Sequence, residues 1–144
     1  MTPRMSIVIP AHDEEQALPA TVASLAAQTR RPDRVLVVSD NSTDATVAVA
    51  RAAGADVMET VGNTARKAGA LNQAIATTTE DVVMVLDADT TIAPTFVEEG
   101  LAVLASAPEV AAVGGVFRGR PPQGYLQRCQ ANEYTRYASK ILTT

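Results

Sequence analysis

The sequence predicts an α/β fold, a mostly parallel sheet flanked by helices on both faces, and three observations carry that prediction. Short runs of Val, Ile and Leu alternate with stretches whose apolar residues recur at helical spacing. The links between them are short, as in successive βαβ units. The strand-like runs also end abruptly in polar loops: Val82-Val83-Met84-Val85-Leu86 stops at Asp87-Ala88-Asp89. An apolar run of that kind reads as a buried strand whose C-terminal tip opens into a site.

The elements follow in order. Met5 to Pro10 is a first strand. Gln16 to Gln28 is a helix with Leu18, Val22, Leu25 and Ala26 on its apolar side, and Pro19 falls in its first turn, where a missing N–H costs little. Arg34 to Ser39 is a β-branched strand, closed by Asp40-Asn41-Ser42-Thr43-Asp44, a cluster of helix-start residues. Thr46 to Ala53 is a helix stopped by Gly54. Ala55 to Thr60 gives a third strand, and 63–78 a third helix with Ala65, Ala68, Leu71 and Ile75 on one face. Asp81 to Leu86 is the fourth strand. Pro94 to Leu104 is a helix with Phe96, Val97, Leu101 and Leu104 inward, Val110 to Val113 a fifth strand, and 124–142 a last helix.

Right-handed crossovers put every strand's C-terminal end on one edge of such a sheet. Residues 10–14, 40–44 and 87–90 therefore share a rim. In an extended chain alternate residues point the same way, so Asp87 and Asp89 can converge on one target. A hard divalent cation holding a diphosphate suits that pair. The bland alternative is that these acids only start helices, and for Asp44 and Glu15 capping is the preferred reading. His12 reads as a structural or surface residue.

Composition sets bounds. At 144 residues, 47% hydrophobic, the chain reads as one domain, 1–144, with no internal repeat or linker. A net charge of −4 argues against nucleic acid as the partner. Arg30, Arg31 and Arg34 form a solvated turn broken by Pro32 and Asp33. The single cysteine, Cys129, excludes an internal disulfide and makes a reducing, cytoplasmic setting the expectation. No apolar run is long enough for a membrane span.

Four segments carry a resemblance: Ser6-Ile7-Val8-Ile9-Pro10-Ala11-His12-Asp13-Glu14-Glu15, Val37-Val38-Ser39-Asp40-Asn41-Ser42-Thr43-Asp44, Lys67-Ala68-Gly69-Ala70-Leu71-Asn72, and Val85-Leu86-Asp87-Ala88-Asp89. In this order and spacing, over residues 5–100, the chain resembles family-two glycosyltransferases. The resemblance implies a GT-A nucleotide-sugar-binding fold, a nucleoside diphosphate sugar donor (most often of uridine diphosphate), and Mg2+ or Mn2+ as cofactor. It also implies a hydroxyl-bearing acceptor, saccharide or lipid, with inversion. By position it makes Asp40 the acceptor for the base. Pro10, Ala11 and Glu14 become the cradle of base and ribose, and Lys67 a neighbour of the nucleotide. Asp87 becomes a ribose or metal contact, and Asp89 the metal ligand.

The chain departs from the family at several points. His12-Asp13 stands where an aromatic and an asparagine are usual, and Ser39 and Asn41 where aspartate and glycine are common. Asn41 still tolerates a left-handed turn. No acid after Asp89 stands in a base motif: Glu98 and Glu99 lie inside a helix, and Glu109 and Glu133 are isolated. The catalytic base is therefore not assigned. Val113-Gly114-Gly115 and residues 127–134 resemble the segment after the donor site in membrane-bound processive synthases of cellulose, chitin or hyaluronan. On that resemblance the chain is expected to be the N-terminal, donor-binding part of a longer polysaccharide-making enzyme at the inner face of the membrane. The alternative is a nucleotide-sugar-binding module without turnover. A nucleotidyltransferase is disfavoured because residues 10–14 are acidic and glycine-free.

Overall fold

The computed structural model describes residues 2–116, 118, 124 and 128–130. The chain divides into two compact units, residues 1–101 and 102–144. The first holds strands β1 (Met5–Ala11), β2 (Arg34–Ser39), β3 (Asp56–Glu59) and β4 (Val82–Val85). Between them lie helices α1 (Leu18–Ala26), α2 (Thr46–Ala52) and α3 (Arg66–Ile75), and α4 (Phe96–Leu104) follows β4.

The sheet runs β3-β2-β1-β4 with every pairing parallel. Its two faces are covered separately, as the period of two along a strand demands. From β1, Ile7 and Ile9 enter a core with Leu18, Val22 and Leu25 of α1, Ala50 of α2 and Val97 of α4. Val8 faces the other way and packs with Leu36, Val38 and the alanines Ala70 and Ala74 of α3. The predicted parallel sheet with helices on both faces is the observed architecture.

Four expectations need correction. Helix α3 starts at Arg66 rather than at residue 63, because Asn63 folds the chain into a turn: its Oδ1 accepts from the Ala65 N–H at 3.0 Å. Arg66 itself sits at φ 51°. The inward face of α3 is Ala70 and Ala74, with Leu71 partly buried, and Ile75 is 45% exposed. Two methyl-sized residues four apart let the helix lie close on β1 and β2, and the larger side chains are turned to the flank.

Strand β4 is buried on one face only. Val82 and Met84 join the α1-side core, whereas Val83 and Val85 are exposed, because α3 lies over β1 and β2 and leaves the edge strand bare. Residues 110–113 form no strand; all but Val110 are exposed, and none pairs with another strand among the described residues. Ala111 and Ala112 offer too little apolar area to hold a strand against a sheet. The expected last helix, 124–142, falls mostly outside the described residues, which include helix at 128–130 and an exposed Cys129. Among the described residues no helix is long and apolar enough to cross a membrane.

Candidate active site

The parallel strands deliver their C-terminal ends to one rim, and a cleft of about 300 Å³ opens there. Its lining is Pro10, Ala11, His12 and Glu14 from the loop after β1, Asp40 after β2, Lys67 on α3, and Asp87, Ala88 and Asp89 after β4. All seven residues singled out from the sequence, Pro10, Ala11, Glu14, Asp40, Lys67, Asp87 and Asp89, line this one cleft.

The loops after β1 and β2 are built into one another. Asp13, at φ 54°, turns its carboxylate onto the second loop, where Oδ1 accepts from the Thr43 N–H at 2.7 Å and the Asp44 N–H at 3.3 Å. In return the Glu14 N–H donates to Thr46 Oγ1 at 2.8 Å and the Glu15 N–H to Asp44 Oδ2 at 3.1 Å. Glu15 closes the exchange by accepting from the Ala45 N–H at 2.8 Å. Asp44 lies one residue ahead of the α2 N-cap, Ala45, where it accepts from the Thr46 N–H at 2.9 Å and braces the first loop as well. Asn41, at φ 55°, makes the left-handed turn its side chain tolerates.

His12 Nδ1 lies 2.6 Å from the Asp40 carbonyl oxygen. A carbonyl only accepts, so Nδ1 carries the hydrogen in this contact. That bond comes first, and the nearby negative charges of Asp13, Asp40 and Asp44 add to it; together they raise the imidazole pKa above its ordinary 6.5.

Asp40 is held by three donors. Its Oδ1 accepts from Asn63 Nδ2 at 2.8 Å, Thr60 Oγ1 at 2.8 Å and Asn41 Nδ2 at 3.1 Å. The Asn63 and Thr60 bonds hold its pKa below the usual carboxylate value. Glu14 is drawn the other way. Partial burial, then the charges of Asp89, Asp44 and Asp87, raise its pKa.

The acid pair is gripped from behind. The buried Thr21 of α1 donates its hydroxyl to the Ala88 carbonyl at 2.7 Å. One turn along, Ser24 Oγ accepts from the Ile92 N–H at 3.3 Å; further on, Gln28 donates to the Ala93 carbonyl at 2.7 Å and accepts from the Val97 N–H at 3.1 Å. This polar stripe at 21, 24 and 28 fixes the segment that carries the acids. On the cleft side Lys67 pairs with Asp87.

Sequence reasoning did not single out Thr21, Thr60 or Asn63, and it left His12 outside the site. The signal for α1 lay in its spacing: Thr21, Ser24 and Gln28 recur at helical period beside Leu18, Val22 and Leu25, on the side that the apolar residues bury. Asn63 carried a weaker one, an asparagine after Gly62 just ahead of a helix.

The sequence matches the model of Glycosyl transferase family 2 over residues 6–143. The chain belongs to that family. A 4,4'-diaponeurosporenoate glycosyltransferase of Staphylococcus haemolyticus is 36% identical over 93 residues, 61% of this chain and 24% of that protein. Glucosyl-3-phosphoglycerate synthase from Mycobacterium tuberculosis, solved with uridine diphosphate, superposes with a TM-score of 0.71 at 28% identity, covering 82% of this chain and 46% of that one.

The same synthase has been solved with Mn2+, uridine diphosphate and glucosyl-3-phosphoglycerate; that structure matches at a TM-score of 0.63 and 27% identity, covering 74% and 41%. Staphylococcus aureus TarS, at 24% identity and a TM-score of 0.62 over 70% of this chain and 32% of that one, shares the fold. The GT-A fold expected from the motifs is therefore the fold of this chain. The chain spans less than half the length of these relatives. None of them is a cellulose, chitin or hyaluronan synthase, so the expectation drawn from residues 113–115 and 127–134 finds no support among these relatives.

Proposed function

We propose that this chain is the donor-binding part of a metal-dependent glycosyltransferase that transfers a sugar from a uridine diphosphate sugar to a hydroxyl acceptor with inversion. The observation that carries the reading is the meeting of Asp40, Lys67, Asp87 and Asp89, from two loops and a helix, on one cleft. The uridine diphosphate and Mn2+ held by the mycobacterial synthase support it.

The donor chemistry fits a hard divalent cation. Asp87 and Asp89 offer carboxylate oxygens, the ligand type that Mg2+ and Mn2+ prefer. Among the described residues no three His, Cys, Asp or Glu side chains gather closely enough to hold a metal unaided. Two carboxylates would hold it jointly with a diphosphate, so metal and nucleotide would bind together. When bound, such a cation neutralises charge on the departing diphosphate.

The chain's own groups do the rest. Asp40 is an acceptor, kept ionised by its two strongest donors, and suits an imide N–H such as that of uracil. Lys67 brings an ammonium to the cleft beside Asp87, where a diphosphate would need countercharge. The braced loops 10–15 and 40–46 hold base and ribose contacts in place before any ligand arrives.

One observation favours the second reading, binding without turnover by this chain alone. The cleft is lined by no acid from beyond Asp89 among the described residues, and Glu98 and Glu99 of α4 accept from the hydroxyls of Thr29 and Thr95. A coupled assay of uridine diphosphate release from uridine diphosphate glucose with Mn2+, beside calorimetry of uridine diphosphate binding, decides between them. Release above the uncatalysed rate supports the enzyme; binding without release supports the module; absence of Mn2+-dependent binding overturns both.

A further inference from the structure

We propose that Asn63, seated against Gly69, is the positioning residue that holds Asp40 as the base-reading carboxylate and ties it to the helix bearing Lys67. The inference rests on the uridine reading above.

The carboxamide of Asn63 has every polar atom committed. Nδ2 donates to Asp40 Oδ1 and to the Arg66 carbonyl, each at 2.8 Å, and Oδ1 accepts from the Ala65 N–H at 3.0 Å. Two acceptors on one side and a donor on the other allow only one orientation of the amide. Gly69 makes room for it. A Cβ at that position would lie 1.9 Å from Asn63 Oδ1 and 2.8 Å from its Cγ. Glycine in a helix interior is disfavoured against alanine. Here the missing methyl is the space that the asparagine fills.

The preceding residues are fixed too. Gln73 of α3 accepts from the Val61 N–H and donates to the Val61 carbonyl, both at 3.0 Å. Thr60, just before, supplies another donor to Asp40. Residues 60–66 thus form a rigid strut from α3 to Asp40, and Lys67 follows directly on it.

Loss of the Asn63 bond acts on Asp40 in two ways. The carboxylate is freed to rotate, and its pKa rises, because that bond is the largest influence holding it down. Thr60 also lowers it, His12 across the loop lowers it slightly, and burial opposes them. The other charged groups around the cleft are Glu14, Lys67, Asp87 and Asp89. The ionised form that can accept an imide proton is then lost at higher pH.

The test is calorimetry of uridine and cytidine diphosphates with Mn2+, from pH 3 to 7, on the 144-residue chain and its Asn63→Ala and Gly69→Ala variants. Asn63→Ala is expected to weaken uridine diphosphate about tenfold, the scale of a hydrogen bond to a charged group. Cytidine diphosphate should lose less, and the acid limb of uridine diphosphate binding should move to higher pH. Gly69→Ala, which keeps the asparagine but takes its space, should do the same, and it carries the test if Asn63→Ala does not fold. Wild-type preference for uridine with an unmoved acid limb in both variants overturns the inference and leaves the functional reading standing. Failure of the wild-type chain to bind uridine diphosphate overturns the reading beneath it.

Discussion

The two sides of the cleft are built differently. The loops after β1 and β2 are cross-laced by side chains that satisfy each other's backbone N–H groups, and Asp40 sits among three donors. The acid pair after β4 is gripped through the Ala88 carbonyl from behind, while Asp87 is countered by the ammonium of Lys67. On the proposed reading, the braced loops would position the nucleotide while the acid pair would share a cation with its diphosphate.

Variants on the two sides should separate these roles. Asp89→Ala should remove the Mn2+ dependence of nucleotide binding in a chain that still folds; a variant with unchanged Mn2+ dependence would end the assignment of Asp89. Asp40→Ala should weaken uridine nucleotides by about 1.5–3 kcal/mol while sparing Mn2+ dependence. Equal loss for cytidine nucleotides in calorimetry would remove the base-reading role.

Thr21→Val keeps the side-chain shape but leaves the Ala88 carbonyl unpaired in a buried setting. It should cost about 1–3 kcal/mol in denaturant unfolding and loosen the metal side more than the base side. Loss of uridine selectivity instead would contradict that division.

The smallest effect belongs to His12. Its pKa is raised in the folded chain, so its stabilising contribution is complete below the unfolded value of 6.5 and is lost as pH rises through the higher folded value. The melting-temperature gap between wild type and His12→Gln should therefore shrink from pH 5.5 to 8. A gap that widens with pH would give His12 the opposite linkage.

Much of this was legible in the sequence, and the reason is local. A strand that ends in Asp87-Ala88-Asp89 or Asp40-Asn41-Ser42 states its own direction and the chemistry of its tip, and parallel topology does the gathering. What was not legible depends on tertiary pairing. Val83 and Val85 read as core because a β-branched run does not say which strand lies at the edge. The expected face of α3, Ala65, Ala68, Leu71 and Ile75, is drawn toward its two large side chains, whereas the buried face is Ala70 and Ala74, because how closely a helix approaches its sheet is not written in the local pattern. Asp13 and Glu15 have their partners some thirty residues away, beyond any periodicity.

The central claim is that the loops after β1, β2 and β4 meet around one metal-chelated nucleotide. Paramagnetic broadening of assigned amide resonances by Mn2+ tests it directly. With uridine diphosphate present, signals of residues 11–14, 40–41 and 87–89 should broaden together, and Mn2+ alone should broaden them far less. Broadening confined to another part of the chain, or unaffected by the nucleotide, would contradict the account.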